Sequence, residues 1–187
     1  MKQLVVLFLV FVSLTACSDL KKQAQLERID ELSNSVDSIQ VVLMSNQIDS
    51  LQQMQKLANS VILRISNNYQ SDTISLEFGK KMDTYKQMVL SLPVVIDDQS
   101  SLNDNIEKIR SSLNNLKQDI ADANGKRDKY PEYIDFESKK VDSIRVKAKE
   151  YMEMRDQLIA HFKEIHVELY DYSIFLVEKK RKALINP

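Results

Sequence analysis

Apolar positions along the chain recur at alternating steps of three and four, the mark of one buried stripe on an α-helix. Ile29, Leu32, Val36, Ile39 and Leu43 open the pattern, and Ile48, Leu51, Ala58, Ile62, Ile65 and Tyr69 resume it in a shifted phase. The reading is a first helix of about 50 residues whose seam slips near Met44 to Gln47. With no glycine or proline there, a stutter within one helix is favoured over a turn at Ser45-Asn46.

The polar run Asn67 to Asp72 then predicts a reversal, with Ser71 or Asp72 as the amino-terminal cap of the next helix. Phe78, Met82, Tyr85, Val89 and Leu92 form a second seam that is expected to end before Pro93, which lacks an amide hydrogen and pushes its predecessor out of helical geometry. Beyond Val94-Val95-Ile96, Asp97 and Asp98 read as caps of a kink, and Ser101 with Asp104 as an acidic relative of the capping box. Leu102, Ile106, Ile109, Leu113, Leu116, Ile120 and Ala123 follow without a miss, and Asn124-Gly125 predicts a left-handed stop.

Tyr130-Pro131-Glu132-Tyr133 reads as the opening of a last helix, proline being suited to the first helical turn. That helix carries Val141, Ile144, Ala148, Tyr151, Arg155, Leu158, Phe162, Ile165, Leu169, Tyr172 and Leu176 at unbroken three-four spacing. Ile159 and His166 widen the stripe, which predicts packing against two neighbours.

The pattern therefore predicts an all-α protein: an elongated antiparallel helical bundle of two long helices and a Pro-kinked pair of shorter ones, spectrin-repeat-like in outline. In the rival arrangement residues 74 to 124 form a helical hairpin between the long helices. Only two glycines and three prolines punctuate the 187 residues, which agrees with long helices and one domain over 23–187.

The first residues depart from this pattern. Lys2 supplies one positive charge ahead of Leu4 to Leu14, an apolar run broken only by Ser13 and far short of the roughly 20 residues that cross a bilayer. Residues 1–16 read as a cleaved signal peptide and 17–22 as a short linker. Leu14-Thr15-Ala16-Cys17 resembles the lipobox of bacterial lipoproteins. The resemblance implies diacylglycerol on the sulfur of Cys17 and a further fatty acyl chain such as palmitate on its amine, an anchor of two or three chains that scarcely desorbs. Cys17 is the only cysteine, so no disulfide within the chain competes for it. Ser18 stands where an aspartate would favour inner-membrane retention, so the resemblance implies the outer membrane of a bacterial envelope, with the leaflet left open. Ser18-Asp19 also resembles the start of the surface-export signal of Bacteroidota lipoproteins, although Leu20 occupies the place of its usual second acid.

Charge narrows the partners. Loss of Lys2 with the signal leaves 25 basic residues against 27 acidic ones and a net charge near −2, which implies no nucleic acid. No glycine-rich phosphate loop, metal-ligand box or nucleophile elbow is present, so no catalytic residues, metal or cofactor beyond the covalent lipid are expected. His161 and His166 point about 140° apart on one helix and are poorly placed to share a metal.

Arg155 is the polar residue singled out, because it occupies a seam position. Its charge calls for an acid such as Asp97, Asp98 or Asp104, or for a stem that carries the guanidinium to water. Lys179, Lys180, Arg181 and Lys182 form a basic tail suited to a helix's negative end or to anionic lipid and lipopolysaccharide phosphates. The stretches Tyr130 to Tyr133 and Tyr170 to Tyr172 offer contact surface, since tyrosine combines area with a polar tip. The functional expectation is a membrane-tethered, non-catalytic module that binds a protein partner in the envelope. The alternative is a ligand-binding or sensing lipoprotein with a small cavity between helices near Arg155.

Overall fold

Three-four spacing yields four helices: α1 spans Lys2–Met44, α2 Ile48–Asn68, α3 Leu76–Asp122 and α4 Tyr130–Ile185, with a 3-10 turn at Arg127–Lys129. The computed structural model describes residues 2–44, 48–70 and 73–185, the side chains of 2–19, 48 and 49 excepted. Among the described residues there is no strand, and the chain is all-α. The predicted stutter or turn beyond Met44 lies outside the described residues, as do Ser71 and Asp72, the predicted caps, and the side chain of Cys17.

Pro93 corrects the sequence reading. The sequence predicts one helix that ends before Pro93 and another beyond it, or residues 74 to 124 as a hairpin, but α3 runs unbroken through the proline for 47 residues. Proline inside a helix removes one hydrogen bond and clashes with the preceding turn, at a cost of about 3 kcal/mol. Leu92 and Val95, both wholly buried, flank it and anchor the helix on either side. Each such side chain contributes roughly 1.5–3 kcal/mol of burial, enough to outweigh the local defect. Asp97, Asp98, Ser101 and Asp104 consequently lie within a helix and cap nothing.

Helix ends follow local chemistry. At the start of α3 the Phe78 amide donates to Ser75 Oγ at 3.3 Å, so Ser75 is the cap. At its end the Asn124 amide reaches the Asp119 carbonyl at 2.8 Å across Ala123, which takes φ 57°. This is the Schellman closure, with alanine standing in the left-handed position that glycine usually fills. Gly125 follows at φ 76°, so the predicted left-handed stop is shared between 123 and 125. Tyr130 opens α4 with Pro131 in its first turn.

Contacts gather into two compact units, one formed by Met1–Val42 with Leu102–Ala148, the other by Leu43–Ser101 with Lys149–Pro187. In the first unit Ile29, Leu32 and Val36 of α1 are buried, as are Ile106, Leu113 and Ile120 of α3 and Val141, Ile144 and Ala148 of α4. Polar contacts fix their register. Lys22 reaches the Ala121 carbonyl, Asp30 pairs with Lys117 and Asp37 with Arg110, so residue numbers run in opposite senses along α1 and α3. Arg28 with Ser138 and Ser35 with Arg145 run in the same sense along α1 and α4.

The second unit buries Leu51, Ala58, Val61 and Ile65 of α2, Tyr85, Leu92 and Val95 of α3, and Tyr151, Leu169 and Leu176 of α4. Phe78 with Tyr172, Lys81 with Glu168 and Tyr85 with His166 set α3 against α4 in opposite senses. Arg64 with Ser173 and Asn67 with Lys180 set α2 against α4 in the same sense.

Candidate functional site

Two polar nodes interrupt the core of the second unit. The first is assembled from three helices, because Arg64, Tyr85 and His166 each sit on the inner face of their own seam. The Tyr85 hydroxyl lies 2.5 Å from His166 Nδ1, and the Arg64 Nε donates to Ser173 Oγ at 2.9 Å. Ser173, wholly buried, passes its own hydroxyl proton to the Tyr170 carbonyl at 2.7 Å. The Arg64 guanidinium lies 5.2 Å from the centre of the Tyr170 ring, while its buried Nη2 has no hydrogen-bond partner. Phe162 stacks on His166 with ring centres 4.2 Å apart.

These surroundings hold the pair neutral. Burial pushes the Tyr85 hydroxyl well above the usual phenol range, against a smaller pull from Arg64. Burial, reinforced by the positive charge of Arg64, lowers His166 below its ordinary value. Tyr85 therefore donates and neutral His166 accepts at Nδ1, which assigns the ring proton to Nε2.

Arg155 centres the second node. Its side chain is only 7% exposed and bonds Asp156, whose carboxylate is 66% exposed, at 2.8 Å. The acid predicted for it on α3 is thus replaced by its own neighbour in sequence. Arg155 Nη1 is buried with no hydrogen-bond partner. Beside it Tyr151 donates to Gln99 Oε1 at 2.8 Å, and burial raises the Tyr151 hydroxyl above its ordinary value, with Arg155 opposing. The guanidinium does not snorkel to water, so a charge is kept inside where an apolar side chain would pack more cheaply.

The other predicted residues are dispersed. Tyr130 is buried, and its single hydroxyl proton is shared between the Asp119 carbonyl, at 3.0 Å, and the Asn124 carbonyl, closing the α3–α4 connection. Tyr133, 44% exposed, lies one turn further on. Lys180 donates to the Asn67 carbonyl at 3.0 Å in the last turn of α2, where a cation complements the carbonyl end of a helix. Lys179 and Lys180 line a cavity of about 260 Å³ with Asn68, Tyr69, Gln70 and Tyr172, whereas Arg181 and Lys182 are exposed. His161 is exposed and His166 half-buried. Among the described residues no cluster of His, Cys, Asp and Glu is placed to hold a metal ion, and no helix is long and apolar enough to cross a membrane.

Sequence reasoning missed Arg64, Ser173 and Gln99 as inner polar residues. Ser173 carried a signal, since it falls four residues after Leu169 and three before Leu176, on the seam itself. It also missed a surface feature of α4: Val167, Tyr170, Ile174 and Val177 follow at steps of three, four and three. Val167 is 62% and Tyr170 41% exposed, so an apolar stripe faces outward as well as inward. The fold places the chain among all-α helical proteins. Comparison with protein-family models, with curated proteins and with solved structures finds no match.

Proposed function

We propose that this chain is a lipid-anchored, non-catalytic helical module of a bacterial cell envelope, held in the outer membrane through Cys17, that works by binding a protein partner along α4. The observation that carries the binding half is the outward stripe Val167, Tyr170, Ile174 and Val177. Apolar side chains at helical spacing on an exposed face match the anchors that a partner helix or groove buries, with Tyr170 the residue type enriched at such centres. The anchoring half rests on the order of charge, apolar run and Leu14-Thr15-Ala16-Cys17. The same reading takes each unit as an antiparallel three-helix packing, with α3 opposing the other two helices and bent at Pro93. The opposed contact registers of α3 with α1 and α4 support it.

Charge placed on the stripe tests the module. Val167→Glu with Val177→Glu changes no buried position, so the fold should persist by circular dichroism. A stoichiometric partner recovered with the lipidated chain from its native membrane should be lost with this variant. Equal recovery by both forms rules the stripe out.

Arg155 favours one second reading, a ligand-binding envelope lipoprotein. A buried guanidinium with a free Nη1 is suited to an anionic group of a small ligand.

A further inference from the structure

Three helices of the second unit meet at one end, and aromatic contacts fix it. Tyr69, which follows α2, stacks on Phe78 of α3 with ring centres 5.7 Å apart. Phe78 meets Tyr172 of α4 edge-on at 5.1 Å, and Tyr172 stacks on Phe175 at 6.2 Å. The Lys180 ammonium on the Asn67 carbonyl closes the same end. Residues 181–185 continue α4 beyond that bond, and all of them are exposed.

This end is apolar and basic at once. Leu76 and Leu184, 76% and 77% exposed, are the two most exposed large apolar side chains among the described residues. Ile74, Phe175 and Ile185, on the same segments, are each more than half exposed, so the apolar surface is gathered and not scattered. Across residues 67–81 and 172–185 six basic residues stand against three acidic ones, and four of the six, Lys179-Lys180-Arg181-Lys182, are consecutive. Among the described residues only Lys81 of the six has an acidic partner, Glu168. Lys180 complements the carbonyl end of α2. Glu178 is the one acid within a turn of Lys179, Arg181 and Lys182 along α4, and counted against them it still leaves a positive excess.

We propose that this end of the second unit docks on the surface of an anionic phospholipid bilayer. Leu76, Leu184 and Ile185 enter the boundary between headgroups and acyl chains, while Lys179, Arg181 and Lys182 stay at headgroup level against the lipid phosphates. Tyr69 and Tyr172 are of the residue type that settles at that level. The choice of occupant needs both ingredients. A nucleic acid or other soluble polyanion would satisfy the cations and leave the aliphatic side chains in water, and an apolar protein groove would cover the aliphatic side chains and strand the cations. The contact depends neither on the lipid proposed for Cys17 nor on the α4 stripe.

A full-length Leu184→Cys chain in the Cys17→Ser background, labelled on its single cysteine with an environment-sensitive fluorophore, tests the docking. Emission should shift to the blue with vesicles of phosphatidylglycerol in phosphatidylcholine, half-saturating at a lipid concentration at least about tenfold lower than with phosphatidylcholine alone. Lys179→Gln with Arg181→Gln and Lys182→Gln should raise the half-saturating concentration by about tenfold or more, and so should molar salt. Leu76→Ser with Ile185→Ser removes apolar surface without changing charge and should raise it by about tenfold as well. All five substituted positions are exposed, so each variant should melt as the parent does. The same fluorophore on a Val146→Cys chain, in the first unit, should not distinguish the two lipid mixtures. The apolar run of residues 4–14 is common to every chain compared, so its own affinity for lipid cancels. Equal shifts with neutral and anionic vesicles, a midpoint unmoved by either variant, or a shift produced by a soluble polyphosphate and not by vesicles overturns the proposal. A midpoint moved by the charge variant and not by the apolar one overturns it too, because the contact would then be adsorption without insertion.

Discussion

The two units solve the same packing problem with opposite uses of polarity. In the first, the interior is mostly aliphatic, the buried Glu137 that Ser112 and Lys140 hold being the exception, and the other charges sit at the rim. There Arg110 bonds Asp37 at 2.8 Å together with Gln40 and Glu107, while Asp30 meets Lys117 at 2.5 Å. Arg110 is held above its ordinary value, first by Asp37, and Glu107 below its own, first by Arg110. In the second unit the polar groups are inside: Arg64 with Ser173, Tyr85 with His166, Gln99 with Tyr151, and Arg155. Rim pairs contribute little and are screened by salt. Inner pairs contribute little net stability but impose strict requirements, since a misregistered helix leaves them unsatisfied.

Five substitutions break or sharpen this contrast. The largest effect belongs to the aliphatic interior: Leu113→Ala empties a wholly buried site and should lower unfolding free energy by about 2–5 kcal/mol in urea titration. A loss under about 1 kcal/mol would show that the first unit is not close-packed.

Tyr85→Phe comes next. It strands His166 Nδ1 without a donor and should cost about 1–2 kcal/mol. The same pair sets a pH dependence. Because folding lowers His166 below its ordinary 6.5, the folded state binds fewer protons than the unfolded chain. Its contribution is complete above about pH 6.5 and is lost as pH falls through the folded value. His166→Gln should flatten the stability slope between neutral and mildly acidic pH, as read by thermal melts. An unchanged slope would remove His166 from the account.

Arg155→Met follows, with the opposite sign. It keeps volume and removes a buried donor that has no partner, so stability should rise by about 1 kcal/mol. A loss of several kcal/mol would mean that Arg155 fixes the helix register. The smallest effect is expected at the rim: Asp30→Asn should cost less than about 1 kcal/mol, and the difference should vanish in molar salt.

These contrasts also separate what a sequence discloses from what it conceals. The seam Leu102 to Ile120 was legible because each member repeats at helical spacing, and each is buried. The α3 stop at 123–125 and the start of α4 were legible through turn chemistry. Pro93 misled because its local cost is visible in the sequence, whereas the burial of Leu92 and Val95 that outweighs it belongs to the tertiary structure. The Ser75 cap was missed because Ser71 and Asp72 offered the same chemistry a few residues earlier. Arg155 stood out as a charge in an apolar seam, but its partner lay one residue away rather than on α3. Periodicity reports which way a side chain faces and not what it meets there. Arg64 was illegible for a related reason: it meets Ser173 and Tyr170 on a different helix, and no spacing within one helix announces that.

Anchoring by lipid on Cys17 is the claim on which the rest of the proposed function stands. Intact mass and detergent-phase partitioning of the natively expressed chain, beside Cys17→Ser, test it most directly. The account predicts a chain that begins at residue 17, carries the added mass of glyceryl-linked acyl chains and enters the detergent phase, with all three lost in the variant. A chain that retains residues 1–16, or one whose partitioning is indifferent to the substitution, would contradict it.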